Sequence, residues 1–147
     1  MTMYLEDLVV GQQIVTETRV IGAADIDAFC ELSGDRNPLH TDDEHARAAG
    51  FAGRIAHGLL VLSIASGLAS GEDDWAIGAY VEESRRFLEP VLPGDAIHTV
   101  SRITELRRSG SKPDRGIVTM HVETRNQRDE VVLEGSDVLL IGARESA

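Results

Sequence analysis

The chain has one cysteine, Cys30, and one lysine, Lys112, among 147 residues. A lone cysteine rules out an intramolecular disulfide and fits a reducing, cytoplasmic setting. Cations are scarce as a class: 14 Lys and Arg stand against 25 Asp and Glu, a formal charge of −11. A protein that grips phosphate backbones needs a basic footprint, so nucleic acid is set aside as the main partner. The longest apolar stretch, Gly58 to Ser70, is too short to span a bilayer, and no basic-then-apolar segment resembles a signal peptide, so no membrane partner is expected. No G-x-S-x-G elbow, Walker loop or G-x-G-x-x-G occurs, which removes support from the matching hydrolase and nucleotide readings. Internal repeats and low-complexity segments are absent too.

What is present describes one ordinary domain over residues 1–147, with 42% hydrophobic and 27% charged residues and enough length for a real core. Gln13 to Ile21 is rich in β-branched residues and reads as a strand. Ala23 to Leu32 changes period: Ile26, Phe29, Cys30 and Leu32 form a stripe, with Asp25 and Asp27 in the first turn. Asp42 to Ala49 reads as a short helix capped by Thr41 or Asp42 and closed by Gly50. Gly58 to Ser70 is apolar on all sides, which predicts an enclosed helix. After an acidic turn at Gly71 to Asp74 come four strand-like segments, Ala76–Leu88, Asp95–Leu106, Gly116–Asn126 and Val131–Ala143. Pro93-Gly94-Asp95 fits a type II turn, and Asn126 to Asp129 fits a hairpin connection. The simplest packing is α+β: an antiparallel sheet curled around the Gly58–Ser70 helix, which is a hot-dog fold. One sheet leaves its edges uncovered, so a homodimer or higher homo-oligomer is expected.

Chemistry concentrates in Ser33-Gly34-Asp35-Arg36-Asn37-Pro38-Leu39-His40. Gly34 suits a helix stop, and Pro38 pushes Asn37 out of the helical region. The resulting turn allows Asp35 and His40 to meet at one point and hold a water between carboxylate and imidazole. A plain polar loop with an Asx-type turn accounts for the same residues. Gly58, heading the apolar helix, offers a free N–H that an anionic oxygen can approach closely, or is simply a permissive helix start. The Ser66 hydroxyl, two turns on, needs a partner: Asp35, or the carbonyl of Leu62 behind it. His40, Asp42, Asp43, Glu44 and His45 have metal-ligand composition, but the spacing suits a solvated first turn better, and no metal is expected. Cys30 belongs to the apolar stripe. His98 and His121 fall in strands without an evident partner. Arg102, Arg107, Arg108, Lys112 and Arg115 crowd into one segment, which suits either a local anion site or a mixed solvated surface.

Phe29-Cys30-Glu31-Leu32-Ser33-Gly34-Asp35-Arg36-Asn37-Pro38-Leu39-His40, followed by Ala46, closely resembles the signature of the MaoC-like (R)-specific enoyl-CoA hydratases. Ile55-Ala56-His57-Gly58, Ser66, the segment from Arg86 through Pro93-Gly94-Asp95, and Asn126 to Val132 match at the spacing of that family, so the resemblance runs from about Phe29 to Leu140. It implies interconversion of a trans-2-enoyl-CoA and an (R)-3-hydroxyacyl-CoA with no metal or redox cofactor, the CoA thioester being substrate. Carried over by position, Asp35 and His40 are the catalytic pair, Gly58 N–H is the oxyanion donor, Ser66 is a serine near the catalytic Asp, and Asn37 is the amide of the motif. Arg36 fills a variable slot, and the short Gly71–Asp74 region leaves acyl length open. An acyl-CoA thioesterase on the same fold and a non-catalytic acyl-CoA-binding subunit are the alternatives. The paired Asp and His favour hydration.

Overall fold

Residues 1–145 are described by a computed structural model, in which a single antiparallel sheet carries the chain. Its elements are β1 (Gln13–Val15), β2 (Arg19–Val20), β3 (Ile77–Phe87), β4 (Ala96–Arg108), β5 (Arg115–Arg125) and β6 (Val131–Gly142). The order is β1-β4-β5-β6-β3, with β2 also pairing to β4. The continuous strand expected over Gln13–Ile21 is broken. Register slips between Val15↔Val100 and Arg19↔Ile97, and the intervening Glu17 N–H turns to the carbonyl of Ala69 at 2.9 Å. Propensity alone carries no signal for such a slip.

Alternation decides which side of the sheet is core. On β5, Val118, Met120, Val122 and Thr124 are buried while Thr119, His121, Glu123 and Arg125 on the other face are half-buried. The hairpin and turn expectations hold. Asp95 N–H bonds to the Leu92 carbonyl at 3.0 Å with Gly94 at positive φ, and Asp129 N–H to the Asn126 carbonyl at 3.0 Å.

The described residues also form four α-helices: α1 (Ala23–Ser33), α2 (Pro38–Thr41), α3 (Asp43–Ala48) and α4 (Gly58–Ser66). α1 buries only Ile26 and Cys30, a few kcal/mol of apolar burial, so its ends matter. Asp25 accepts from the Gly22 N–H at 2.8 Å and holds Arg19, and Gly34 closes the helix in the left-handed region at φ +78°. Leu32, expected on the stripe, is exposed. α4 differs more from expectation. It ends at Ser66, where Gly67 caps it, and it is not enclosed: Leu60, Val61 and Ala65 are buried, but Leu59 is 61% exposed. The open side of α4 lies next to β3, the edge strand, whose Tyr80, Val81 and Phe87 are also exposed. The architecture is nevertheless the expected hot-dog fold, α+β with an antiparallel sheet curved over a central helix.

Of the Arg102–Arg115 segment, Arg108 is taken up by Glu6 and the carbonyls of Pro113 and Arg144, Arg115 by Asp114, and Arg107 by Glu105. These three are paired locally, as in a mixed charged surface. No helix among the described residues is long and apolar enough to cross a membrane.

Candidate active site

The motif folds as a chain of local hydrogen bonds. Ser33 Oγ donates to the Phe29 carbonyl at 2.6 Å and accepts from Asp35 N–H at 3.1 Å. Asp35 Oδ1 accepts from Asn37 N–H at 3.1 Å, an Asx turn. Asn37 Oδ1 in turn accepts from Leu39 N–H at 3.0 Å and caps α2, where Pro38 occupies the first turn. Asn37 is therefore a positioning residue: its side chain holds the turn that presents His40.

His40 reaches back over the motif. Its Nδ1–H donates to the Ile55 carbonyl at 2.8 Å, which leaves Nε2 facing Asp35 Oδ2 at 3.9 Å. That separation is too long for a direct hydrogen bond and suits a water bonded to both. Asp35 is 53% exposed at its side chain and His40 only 13%, so the carboxylate opens to solvent while the imidazole is held against the protein.

Beneath them lies His57, 3% exposed, a residue to which the sequence reading gave no role. Its ring stacks on His40 with centroids 3.8 Å apart and planes at 25°, and Phe29 meets its edge at 4.8 Å. Nε2–H donates to the Asp35 carbonyl at 2.9 Å, and buried Nδ1 has no partner among the described residues. The one sequence signal was a histidine directly before the apolar helix, in the N-cap position of α4.

Gly58 begins α4 beside this pair. The amides of Gly58 and Leu59 have no acceptor among the described residues, as the first turn of a helix requires. A Cβ on Gly58 would sit 2.4 Å from the Phe87 ring, so only glycine admits that ring and still exposes its N–H. A groove of about 490 Å³ opens here, lined by His40, Phe51, Ile55, Gly58, Leu59 and Phe87 among others, and its walls are mainly apolar.

Ser66 is not part of this group. Its hydroxyl donates to the Ser63 carbonyl at 2.7 Å, one residue from the Leu62 alternative and away from Asp35. Eight residues of helix put it about 12 Å along the axis from Gly58, and it lines a different cavity. The expected metal-type residues are spent on structure: Asp42 caps α3 through Glu44 and His45 N–H, and Asp43 accepts from Arg54 N–H at 2.9 Å. Arg54 also pairs with Asp27 at 2.8 Å, tying α1 to the motif. Two other groups could offer three donor atoms each, Asp35–His40–His57 and His121–Glu123–Glu134. In the first, one nitrogen of each imidazole is already bonded to a carbonyl. In the second, Glu134 accepts from His121 at 3.2 Å, giving that histidine its partner, and Arg125 holds Glu123.

A curved antiparallel sheet over a short helix, with an Asp/His pair at a glycine-headed helix N-terminus, defines a hot-dog protein with a candidate site for acid–base chemistry. Residues 7–126 match the MaoC like domain, and the chain belongs to the MaoC-like dehydratase family. It is 36% identical over 129 residues to the mitochondrial 3-hydroxyacyl-acyl-carrier-protein dehydratase of Arabidopsis thaliana, covering 87% of this chain and 75% of that one. It is 33% identical to the (R)-specific enoyl-CoA hydratase of Aeromonas caviae, covering 93% of this chain and 98% of the relative. The crystal structure of the MaoC-like dehydratase from Rhodospirillum rubrum superposes with a TM-score of 0.84 at 32% identity, over 98% of this chain and 99% of the other.

Proposed function

We propose that the protein hydrates a trans-2-enoyl-CoA to an (R)-3-hydroxyacyl-CoA, or dehydrates the product in reverse. The observation that carries this reading is the 3.9 Å gap between Asp35 Oδ2 and His40 Nε2, set beside the free amide of Gly58. A water in that gap loses a proton to one of the two groups as its oxygen bonds to C3 of the enoyl chain. The electron pair of the double bond moves toward the thioester carbonyl, giving an enolate whose oxygen accepts from Gly58 N–H. A proton delivered to C2 from the pair completes the addition, so water is consumed and no redox partner enters. The Nδ1–H bond to Ile55 keeps the lone pair or proton of His40 on Nε2, the nitrogen that faces the water. The helix dipole at Gly58 favours the negative oxygen further.

The test follows loss of the conjugated thioester absorbance of crotonyl-CoA. Wild type should hydrate it, and Asp35→Asn or His40→Ala should each cut kcat by about 10²–10⁴-fold or abolish it. Retention of activity by both variants would sink the mechanism. Release of free thiol from acyl-CoA, without hydration, would point to a thioesterase instead.

The same reading takes the protein as a homodimer. β3 is an unpaired edge of eleven residues, and exposed Leu59, Val81 and Phe87 lie along it and the adjoining side of α4. A long, exposed edge strand is normally covered or blunted.

A further inference from the structure

The concave face of the sheet is not uniformly apolar. Two clusters of buried side chains, one around Ile26, Leu60 and Ile97 and the other around Trp75, Ile103 and Met120, form separate halves of the core. A cavity of about 290 Å³ whose lining takes residues from both halves is walled by Ser66, Glu72, Arg85, Thr99, Thr124 and Asp137. Arg85 is 6% exposed at its side chain and gives its Nη1 protons to the carbonyls of Ser84 (2.8 Å) and Ser136 (3.1 Å). Its Nε has no partner, and the Asp137 carboxylate, 2.7 Å from Nη1, receives no hydrogen bond among the described residues. An apolar filling would be the more stable choice for such a place. A guanidinium Nε without an acceptor, and a carboxylate oxygen ion-paired to Arg85 but given no proton, stand in the wall of one cavity and suit a group that both accepts and donates.

The groove beside Gly58 and this cavity are lined from the same strand, β3, and the same helix, α4. Phe87, whose ring lies over Gly58, and Arg85 point to the same face of β3, about 7 Å apart. On the helix, Leu59 lines the groove while Leu62 and Ser66 line the cavity. We infer that the cavity receives the far end of the acyl group, and that this end carries a neutral hydrogen-bonding group such as a hydroxyl or amide. The inference rests on the hydration reading and narrows its substrate. A plain alkyl end leaves Arg85 Nε without an acceptor and gives the Asp137 carboxylate no proton beyond its ion pair. A carboxylate end meets Asp137, Glu72 and Glu83 with only Arg85 to balance them. Glu72 already registers that crowding: burial, then Asp137 and Asp73, push its carboxyl up to about 7.

The experiment compares kcat/KM for trans-2-hexenoyl-CoA, its 6-hydroxy analogue and trans-2-hexenedioyl-CoA, with crotonyl-CoA as the short reference. The 6-hydroxy thioester should lead both others by about tenfold or more. In an Arg85→Met/Asp137→Leu double variant that lead should vanish or invert in favour of the alkyl chain. Glu72→Leu, at a half-buried turn position, should shrink the same ratio and serves if the double variant does not fold. Equal or better turnover of the alkyl or carboxylate chain by wild type overturns the inference, as does a ratio untouched by the variants. Hydration of crotonyl-CoA without the hydroxyl preference removes this inference alone. No hydration of any of the four removes the hydration reading with it.

Discussion

His57 meets the Phe29–His40 segment through its ring face, its edge and its Nε2–H, and so holds both members of the proposed pair at once. It touches no reacting atom in the proposed mechanism, so its part is positioning. His57→Phe keeps a ring under His40 and removes the donor to the Asp35 carbonyl. The expected result is a fall in kcat of about tenfold with KM within about twofold, and partial recovery in His57→Gln, which restores a donor. Steady-state kinetics on crotonyl-CoA check it; an equal loss in KM would mean that the ring binds substrate instead. Asp35, Asn37, His40 and Gly58 were legible in the sequence because local rules place them: a left-handed glycine, a proline, an Asx turn, a helix start. His57 was not, since stacking joins segments that only tertiary packing brings together. Ser66 shows the opposite limit. Periodicity gives its turn of the helix but not which carbonyl its hydroxyl chooses.

At the scale of elements, the four strands after Asp95 and before it were read nearly to their ends, because alternation and turn chemistry agree along Ala76–Ala143. The helix after Gly58 was read too long, since the apolar run continues past Gly67 while the backbone does not. The turn that follows, Gly71–Asp74, carries a consequence for pH. The Glu72 carboxyl, ordinarily near 4.5, is raised to about 7 by burial, Asp137 and Asp73. Between those values the unfolded chain gives up its proton while the folded chain keeps it. Stability therefore falls as pH rises from about 4.5 to 7, and the full cost, at most about 3 kcal/mol, applies above that window. Glu72→Gln should raise the melting temperature by several degrees at pH 8 and leave it unchanged near pH 4.5. Thermal unfolding at both values checks this; a gain that does not depend on pH would locate the effect elsewhere.

For the whole molecule, the sequence pointed to an enclosed central helix, and the single chain leaves one side of it open beside an unpaired strand. Both facts are met by a second copy paired along β3, which would cover Leu59 and Phe87 as well. Val81 sits at a break in the β3–β6 register, so its replacement spares the internal ladder. Val81→Lys should convert a dimer to monomers in sedimentation velocity, a charged edge being the usual defence against pairing. Wild type running as a monomer, or the variant as a dimer, would reject β3 as the interface.

Asp35 divides its two oxygens between shape and the proposed reaction: Oδ1 closes the turn on Asn37, and Oδ2 faces His40. An asparagine there retains the first role and loses the second. Under the proposed mechanism, a descendant gene with that one substitution encodes a chain that keeps the turn but no longer activates water. On that mechanism, catalysis in this scaffold is separable from architecture by a single codon change, which would give duplicated copies a short route to becoming silent subunits.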